Sequence, residues 1–296
     1  MRILIALMSI NMLFANEALI QKATEAKLVP LAIKKDIFEN KSQLELGKKL
    51  YFEPRLAESN LISCNSCHNL ALGGSNAIPT TKPFNSNVPT IFNATFDAEF
   101  ATTHLMTHIT GNINAPKDNN AKERAVAKIT AFPQYVIEFK KSYGNNVKID
   151  FDFIKDAIIA FQSTLTTQSR YDDFLRGNFK ALSKKEQDGL EIFINKGCVE
   201  CHNGVNLGGE ILPYSKISEY KFASDFKKND TIKVPILRNI KQTSPYLKSG
   251  KLTSLKETIK MMTKTSISDS EAEKIEEFFE SLSGKKPSIT YPQLPM

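Results

Sequence analysis

The 296-residue sequence has no tryptophan, four histidines and four cysteines. Any metal or redox chemistry must therefore be built from a handful of side chains. Long apolar runs are missing from the interior of the chain: none approaches the roughly 20 residues that a membrane helix needs, so the mature chain is expected to be soluble and to have no membrane span. Low-complexity tracts are missing as well, and with 41% apolar residues the chain can bury a core instead of remaining disordered. Lys and Arg outnumber Asp and Glu by 39 to 32, yet the basic residues are scattered through amphipathic segments. A nucleic-acid partner is not implied. The length admits one large domain or two smaller ones, and two fit best.

At the N-terminus, Met1-Arg2 precedes an apolar run from Ile3 to Ala15, interrupted only by Ser9 and Asn11 and followed by polar Asn16-Glu17. A basic start, a short apolar centre and a small final residue have the shape of a secretory signal peptide. A buried first helix is the alternative. Residues 1–15 are read as the signal peptide, 16–165 as an N-terminal domain and 166–296 as a C-terminal domain of a periplasmic protein. Arg2 is the one charged residue of the leader, so cleavage lowers the formal charge of +7 by one.

All four cysteines fall in two motifs, Cys64-Asn-Ser-Cys67-His68 and Cys198-Val-Glu-Cys201-His202, and none remains for a structural disulfide. In a chain of this composition one such motif is expected by chance about 0.0007 times. A zinc site would gather two cysteine pairs in one small module, whereas these begin at residues 64 and 198 and each runs directly into a histidine. A thioredoxin-like dithiol would need a βαβ setting that the sequence lacks. Free dithiols would also be oxidised in the periplasm, while thioethers to haem are permanent. The motifs therefore point to two covalently bound haem c groups, with His68 and His202 each supplying an axial nitrogen to iron.

The surroundings of the motifs repeat. The first unit reads Gly47-Lys-Lys-Leu-Tyr-Phe52, then the motif, Asn69 and Leu72-Gly-Gly74; the second reads Gly189-Leu-Glu-Ile-Phe-Ile194, the motif, Asn203 and Leu207-Gly-Gly209. A duplicated haem domain follows. Ser42-Gln-Leu-Glu45 and Ser183-Lys-Lys-Glu186 have the capping-box pattern that opens a helix. Gly197, just before Cys198, suits a helix exit with positive φ. Helices are expected over Phe151 to Leu165 and Ser270 to Leu282, the latter capped by Ser268 and Glu271 and ended by Gly284. The stretch from Ile78 to Asn93 reads as a long ordered loop. Strand signals are few. The expected class is mainly α, two cytochrome c-like haem domains packed together with long irregular loops.

These residues resemble the bacterial di-haem cytochrome c peroxidase family, which includes the MauG-type enzymes. The resemblance covers nearly the whole mature chain and is carried by Ser63 to Asn69, Val88-Pro-Thr-Ile-Phe-Asn93, Gly197 to Asn206, Val234-Pro-Ile-Leu-Arg-Asn239, Thr243-Ser-Pro-Tyr246, Leu282-Ser-Gly284 and Tyr291-Pro292. It implies that the His68 haem reacts with hydrogen peroxide and the His202 haem takes electrons from a small cytochrome or similar donor. It also places Met262 as the second ligand of the His202 iron, a pairing that raises the reduction potential. Met261 is its rival, and the alternative reading of both is as core fillers. A calcium ion is implied at Asn87, Thr243 and Pro245, the last two through carbonyls. The assembly state stays open, a homodimer included.

The chain departs from the family pattern around the first haem. Residues 69–103 contain no histidine, where most members have one that caps the iron, so this haem is expected to be five-coordinate without reductive activation. The tryptophan that usually lies between the haems is missing. Anchored on Gly111 and Pro116, His108 takes the place of a catalytic glutamine and Asp118 that of a glutamate, with His104 as the competing histidine. A sixth iron ligand and an ordinary histidine are the other readings of His108. Peroxide cleavage needs a proton moved from the near oxygen to the leaving one, which neutral His108 can do with Asp118 assisting. Other functions remain in view: MauG-like oxidation of a protein or organic substrate, for which a tyrosine would replace Met262, and a non-enzymatic di-haem electron carrier. If His108 moves the proton, His108→Ala slows peroxide turnover about 10²- to 10⁴-fold in a steady-state assay. Unchanged turnover refutes that role.

Overall fold

The structure, a computed structural model, describes residues 2–32, 39–76, 87–96 and 120–296, with backbone alone for 2–13. Its helices are α1 (Arg2–Glu25), α2 (Lys41–Tyr51), the single turn α3 (Cys64–Cys67), α4 (Ala121–Thr130), α5 (Pro133–Tyr143), α6 (Phe151–Ser163), α7 (Arg170–Leu175), α8 (Lys184–Asn195), α9 (Leu255–Met261) and α10 (Asp269–Ser281). Among the described residues the only sheet is a pair of three-residue antiparallel strands, β1 (Ile211–Pro213) and β2 (Thr231–Lys233), with Leu212 opposite Ile232. The class is mainly α, as expected. No helix among the described residues is long and apolar enough to cross a membrane.

The chain forms two compact units. One holds Met1–Ala32, Ala77–Pro89 and Thr167–Lys285; the other holds Ile33–Asn76, Thr90–Thr166 and Lys286–Met296. Each unit is thus discontinuous in sequence, where the halves read from the sequence are continuous. The unit carrying the first motif is built on α2, α4, α5 and α6 around Leu46, Leu50, Ile129, Phe139, Ile154 and Ile158. The unit carrying the second motif is built on α1 and α7 to α10 around Phe174, Leu190, Phe193, Ile259, Ile275 and Phe278.

The helix starts follow local capping chemistry. Ser183 Oγ accepts from Glu186 N at 3.3 Å and Glu186 Oε2 accepts from Ser183 N at 2.7 Å, and Ser268 and Glu271 exchange the same bonds. The first capping box is a correction. Asn40, not Ser42, opens α2, its Oδ1 accepting from Gln43 N at 3.1 Å. Asparagine caps as well as serine, so the helix gains its start two residues earlier.

The duplicated glycines explain the packing. A Cβ on Gly47 would lie 1.8 Å from the Ala157 carbonyl oxygen and 3.0 Å from Phe161 Cβ; one on Gly189 would lie 1.9 Å from the Lys274 carbonyl oxygen and 2.8 Å from Phe278 Cβ. Helix α2 therefore touches the backbone of α6, and α8 touches that of α10, with no side chain between. One turn on, Tyr51 meets Phe161 with ring centroids 5.4 Å apart, and Phe193 meets Phe278 at 5.5 Å. Glycine inside a helix costs about 1 kcal/mol against alanine, so its presence at both crossings reflects the contact. Gly189→Ala is expected to destabilise by about 1–3 kcal/mol through overpacking, where an uncrowded helix position would gain. Denaturant unfolding measures the sign, and a stabilised variant contradicts the crossing.

Candidate active site

At the first motif, Ser63 N donates to Ser66 Oγ at 3.0 Å and His68 N to the Cys64 carbonyl at 2.8 Å, which wind Cys64–Cys67 into the single turn α3. His68 is buried, and its carbonyl accepts from Tyr51 Oη at 2.6 Å. The chain then doubles back. Gly74 N donates to the Asn69 carbonyl at 2.8 Å, with Gly73 and Gly74 at φ 76° and 73°. Thr90 Oγ1 donates to the Gly73 carbonyl at 2.7 Å and Ile91 N to the Gly74 carbonyl at 2.9 Å. A Cβ on Gly74 would meet Ile91 Cγ2 at 2.9 Å, so the close docking also requires glycine.

The second motif repeats this frame. Gly197 leaves α8 at φ 76° as expected. His202 N donates to the Cys198 carbonyl at 2.9 Å, and Gly208 N to the Asn203 carbonyl at 2.9 Å, the counterpart of the Gly74 to Asn69 bond. Gly209 N donates to the Val234 carbonyl at 2.8 Å. Asn93 and Asn239, which close the two Val-Pro segments, are both fully buried in the left-handed region, at φ 62° and 61°. Asn93 N donates to the Leu165 carbonyl and Asn239 N to the Leu282 carbonyl, at 3.0 and 3.2 Å. Asparagine tolerates that backbone region better than most residues.

His202 Nδ1 lies 3.0 Å from the Leu207 carbonyl oxygen. A carbonyl can only accept, so Nδ1 carries the proton and the Nε2 lone pair is left to bind a metal. Burial pushes the imidazole pKa down, against opposing bonds to the Leu207 and Pro235 carbonyls, which favours the neutral ligand form. Leu207 supplies its carbonyl from φ 48° while fully buried, a costly conformation for a residue with a Cβ. The four cysteines form no disulfide. Burial pushes the Cys64 thiol up to about 12 and that of Cys198 up to about 11, so neither is a reactive thiolate. Thioethers carry no ionisable group into these apolar sites. Among the described residues no cluster of three or more His, Cys, Asp or Glu could hold a metal ion, whereas a haem that brings its own nitrogens needs a single histidine on one face. The residues present fit haem at both motifs.

Of the other predicted residues, Met262 caps the C-terminal end of α9, its N–H bonded to the Thr258 and Ile259 carbonyls at 3.1 Å. Leu255 and Ile259 of α9 belong to the same core cluster as Phe193, whose ring lies 6.5 Å from that of His202. Asn87 and Pro245 are brought together, the Asn87 amide donating to the Pro245 carbonyl. Thr243 stands two residues before Pro245, beside Gln242, whose Oε1 is buried with no hydrogen-bond partner. This oxygen-rich donor set suits a hard cation. His104, His108 and Asp118 lie outside the described residues.

Comparison with known proteins reaches the same family. The model of the di-haem cytochrome c peroxidase family matches residues 41–180. The cytochrome c551 peroxidase of Pseudomonas aeruginosa is 32% identical over 86% of this chain and 83% of its own length. The chain belongs to the di-haem cytochrome c peroxidase family. A cytochrome c551 peroxidase of Nitrosomonas europaea is 35% identical over 87% of this chain and 84% of its own, and the methylamine utilization protein MauG of Methylorubrum extorquens is 26% identical over 86% and 81%. Among solved structures, a MauG-like protein associated with microbial copper homeostasis shares the fold at a TM-score of 0.67 and 20% identity, over 88% of this chain and 94% of that one. The di-haem peroxidase BthA of Burkholderia thailandensis shares it at 0.56 and 14% identity, over 86% and 90%.

The sequence offered no signal for the buried ion pair that braces the second motif. Arg238 and Asp172 are fully buried and joined by two bonds, at 2.7 and 2.9 Å. Asp172 also accepts from Leu31 N and Ser169 N, and Arg238 Nε donates to the Val205 carbonyl in the motif's loop. Burial alone would raise the Asp172 carboxyl, but Arg238 and the backbone donors outweigh it and hold the pKa down. Glu53, bonded to Arg55 and Tyr135, and Glu186, bonded to Arg170 and Ser183, are likewise held down against burial. A depressed native pKa contributes stability that is complete above the unfolded value, about 4, and lost as pH falls through the native value. The denaturant midpoint of the haem-loaded protein is expected to fall between about pH 5 and about pH 3. A flat midpoint across that window contradicts the assignment.

Proposed function

We propose that this protein is a di-haem cytochrome c peroxidase, an oxidoreductase that reduces hydrogen peroxide to water with electrons from a small donor cytochrome or similar protein. The observation that carries this reading is the pair of matching Cys-x-x-Cys-His cradles, one in each unit, with His202 held in the tautomer that frees Nε2. Haem c bound there through Cys64 and Cys67, and through Cys198 and Cys201, supplies the redox-active iron. The residues do the rest. Tyr51 fixes the backbone of His68 behind the peroxide-reacting site. His108 takes the proton from the near peroxide oxygen and delivers it to the departing one, with Asp118 assisting. Met262 would be the second protein ligand of the iron held by His202, where its thioether would raise the potential so that this site would accept electrons readily, and a methionine there favours the peroxidase over a MauG-type oxidase.

Calcium would be held by the hard oxygens of Asn87, Thr243 and Pro245, which would require the Asn87 amide, here donating to the Pro245 carbonyl, to turn over. Export to the periplasm through residues 1–15 is in keeping with the packing of α1. Ala15 is exposed, while Asn16, Leu19 and Ala23 are buried, so a chain beginning at Asn16 keeps every one of those contacts.

Electron paramagnetic and optical spectra of the oxidised and half-reduced holoprotein, taken before and after peroxide, test the reading. A high-spin first haem that reacts rapidly with peroxide is expected. Two low-spin haems and no reaction would identify an electron carrier.

A further inference from the structure

The C-terminal segment, Lys286–Met296, belongs to the unit that carries the first motif. Ile289 and Leu294 pack on the cluster that contains Tyr51 and Phe92, as does Cys64. Lys48 Nζ donates to Thr290 Oγ1 at 3.2 Å and Arg55 Nη2 to the Pro295 carbonyl at 2.9 Å. Between these anchors, Tyr291 sets its ring edge-on to Phe52 with centroids 5.0 Å apart, and Phe52 stands edge-on to Tyr51 at 5.4 Å. Tyr51 Oη reaches the His68 carbonyl at 2.6 Å. A run of touching aromatic rings therefore leads from the backbone of the first haem's histidine to the surface.

The two ends of this run differ in what they can do with a proton. Oxidising a phenol removes an electron and makes its proton strongly acidic, so the oxidised form persists where the proton has somewhere to go. Tyr51 is fully buried and its hydroxyl hydrogen is committed to a carbonyl, which is not a base. Tyr291 is 66% exposed, the one exposed ring among the eight tyrosines, and water can take its proton. Edge-on pairs are an ordinary packing geometry, so contact alone does not require a redox role. The direction of the run, from a buried phenol at the motif to a solvated one, is what packing leaves unexplained.

We propose that Tyr291 is a surface outlet for oxidising equivalents produced at the first haem, reached through Phe52 and Tyr51 and used when peroxide arrives without an electron donor. This rests on the peroxidase reading above. In the reaction the peroxide O–O bond breaks and two electrons and two protons complete two waters. The electrons come from Tyr291 of two molecules, one each: the first radical takes an electron from Tyr291 of a second molecule and is re-formed by the second oxidising equivalent, and each phenol releases its proton to water. The two phenoxyl radicals then join through one carbon–carbon bond, so two tyrosines and one peroxide give one dityrosine and two waters.

The experiment mixes oxidised holoprotein with a few equivalents of hydrogen peroxide and no donor. It follows the haem spectrum by stopped flow, then covalent dimers on a denaturing gel, dityrosine fluorescence and the cross-linked peptides by mass spectrometry. The wild type is expected to form dimers joined at Tyr291. Tyr291→Phe, which keeps the ring and its packing, is expected to lose them with an unchanged initial haem response, and Phe52→Leu to reduce them. A normal haem response with no cross-link, with cross-links at other tyrosines, or with an undiminished yield in Tyr291→Phe overturns the outlet. No haem response to peroxide in the wild type overturns the peroxidase reading itself, and the outlet with it.

Discussion

Two helix crossings with no side chain between them set the frame on which both motifs depend. Because Gly47 rests on the Ala157 carbonyl and Gly189 on that of Lys274, α2 and α8 approach their partners at backbone contact. The aromatic residue one turn further on is thereby pressed against the partner's own aromatic ring. In each unit that aromatic is also the link to the motif. Tyr51 bonds the His68 carbonyl, and Phe193 lies beside the His202 ring. Moving either crossing outward by a methyl group would shift the link in its own unit.

A second device, equally duplicated, holds the far side of each motif. The Gly-Gly turns after the histidines and the left-handed Asn93 and Asn239 let the Val-Pro segments dock by backbone hydrogen bonds, while Phe92 and Leu237 of the same segments pack into the two cores. Backbone bonds of this kind are insensitive to side-chain identity, which leaves the rest of each segment free to diverge. Thr90 and Ile91 use their positions to grip the first turn. In the second segment Arg238 turns inward instead, to a buried carboxylate and the Val205 carbonyl. One scaffold has thus acquired two different electrostatic surroundings, an aromatic run around His68 and a buried ion pair behind the loop of His202.

Burying Arg238 with Asp172 carries a large desolvation penalty that their attraction alone need not recover. Additional donors are required, and the Leu31 and Ser169 backbone N–H groups provide them. The first 32 residues are in this way tied to the second motif's unit, just as the last residues are tied to the first motif's unit through Arg55. Tyr135 and Arg55 share the buried Glu53 carboxylate, so the anchor of the C-terminal segment is itself held within the core.

Much of this protein was legible before any fold was known. The two Cys-x-x-Cys-His motifs, the capping boxes at Ser183 and Ser268 and the left-handed Gly197 are all local, since each depends on residues a few positions apart whose chemistry fixes the backbone, and the internal repeat is the recurrence of such local patterns. The recurring glycines were visible too, but not their reason, because Ala157 and Lys274 are distant in sequence and contribute only a carbonyl. The helix start at Asn40 was missed where two adequate caps lay two residues apart and local propensity could not choose between them. The Nδ1 bond of His202, the left-handed Leu207, the Arg238 and Asp172 pair and the Tyr51 to Tyr291 run of rings had no sequence signature. Each joins groups that meet only when the chain folds, so tertiary structure alone decided them. The sequence by itself determined where the two Cys-x-x-Cys-His motifs stand and that their surroundings repeat; the fold decided how unlike those surroundings became.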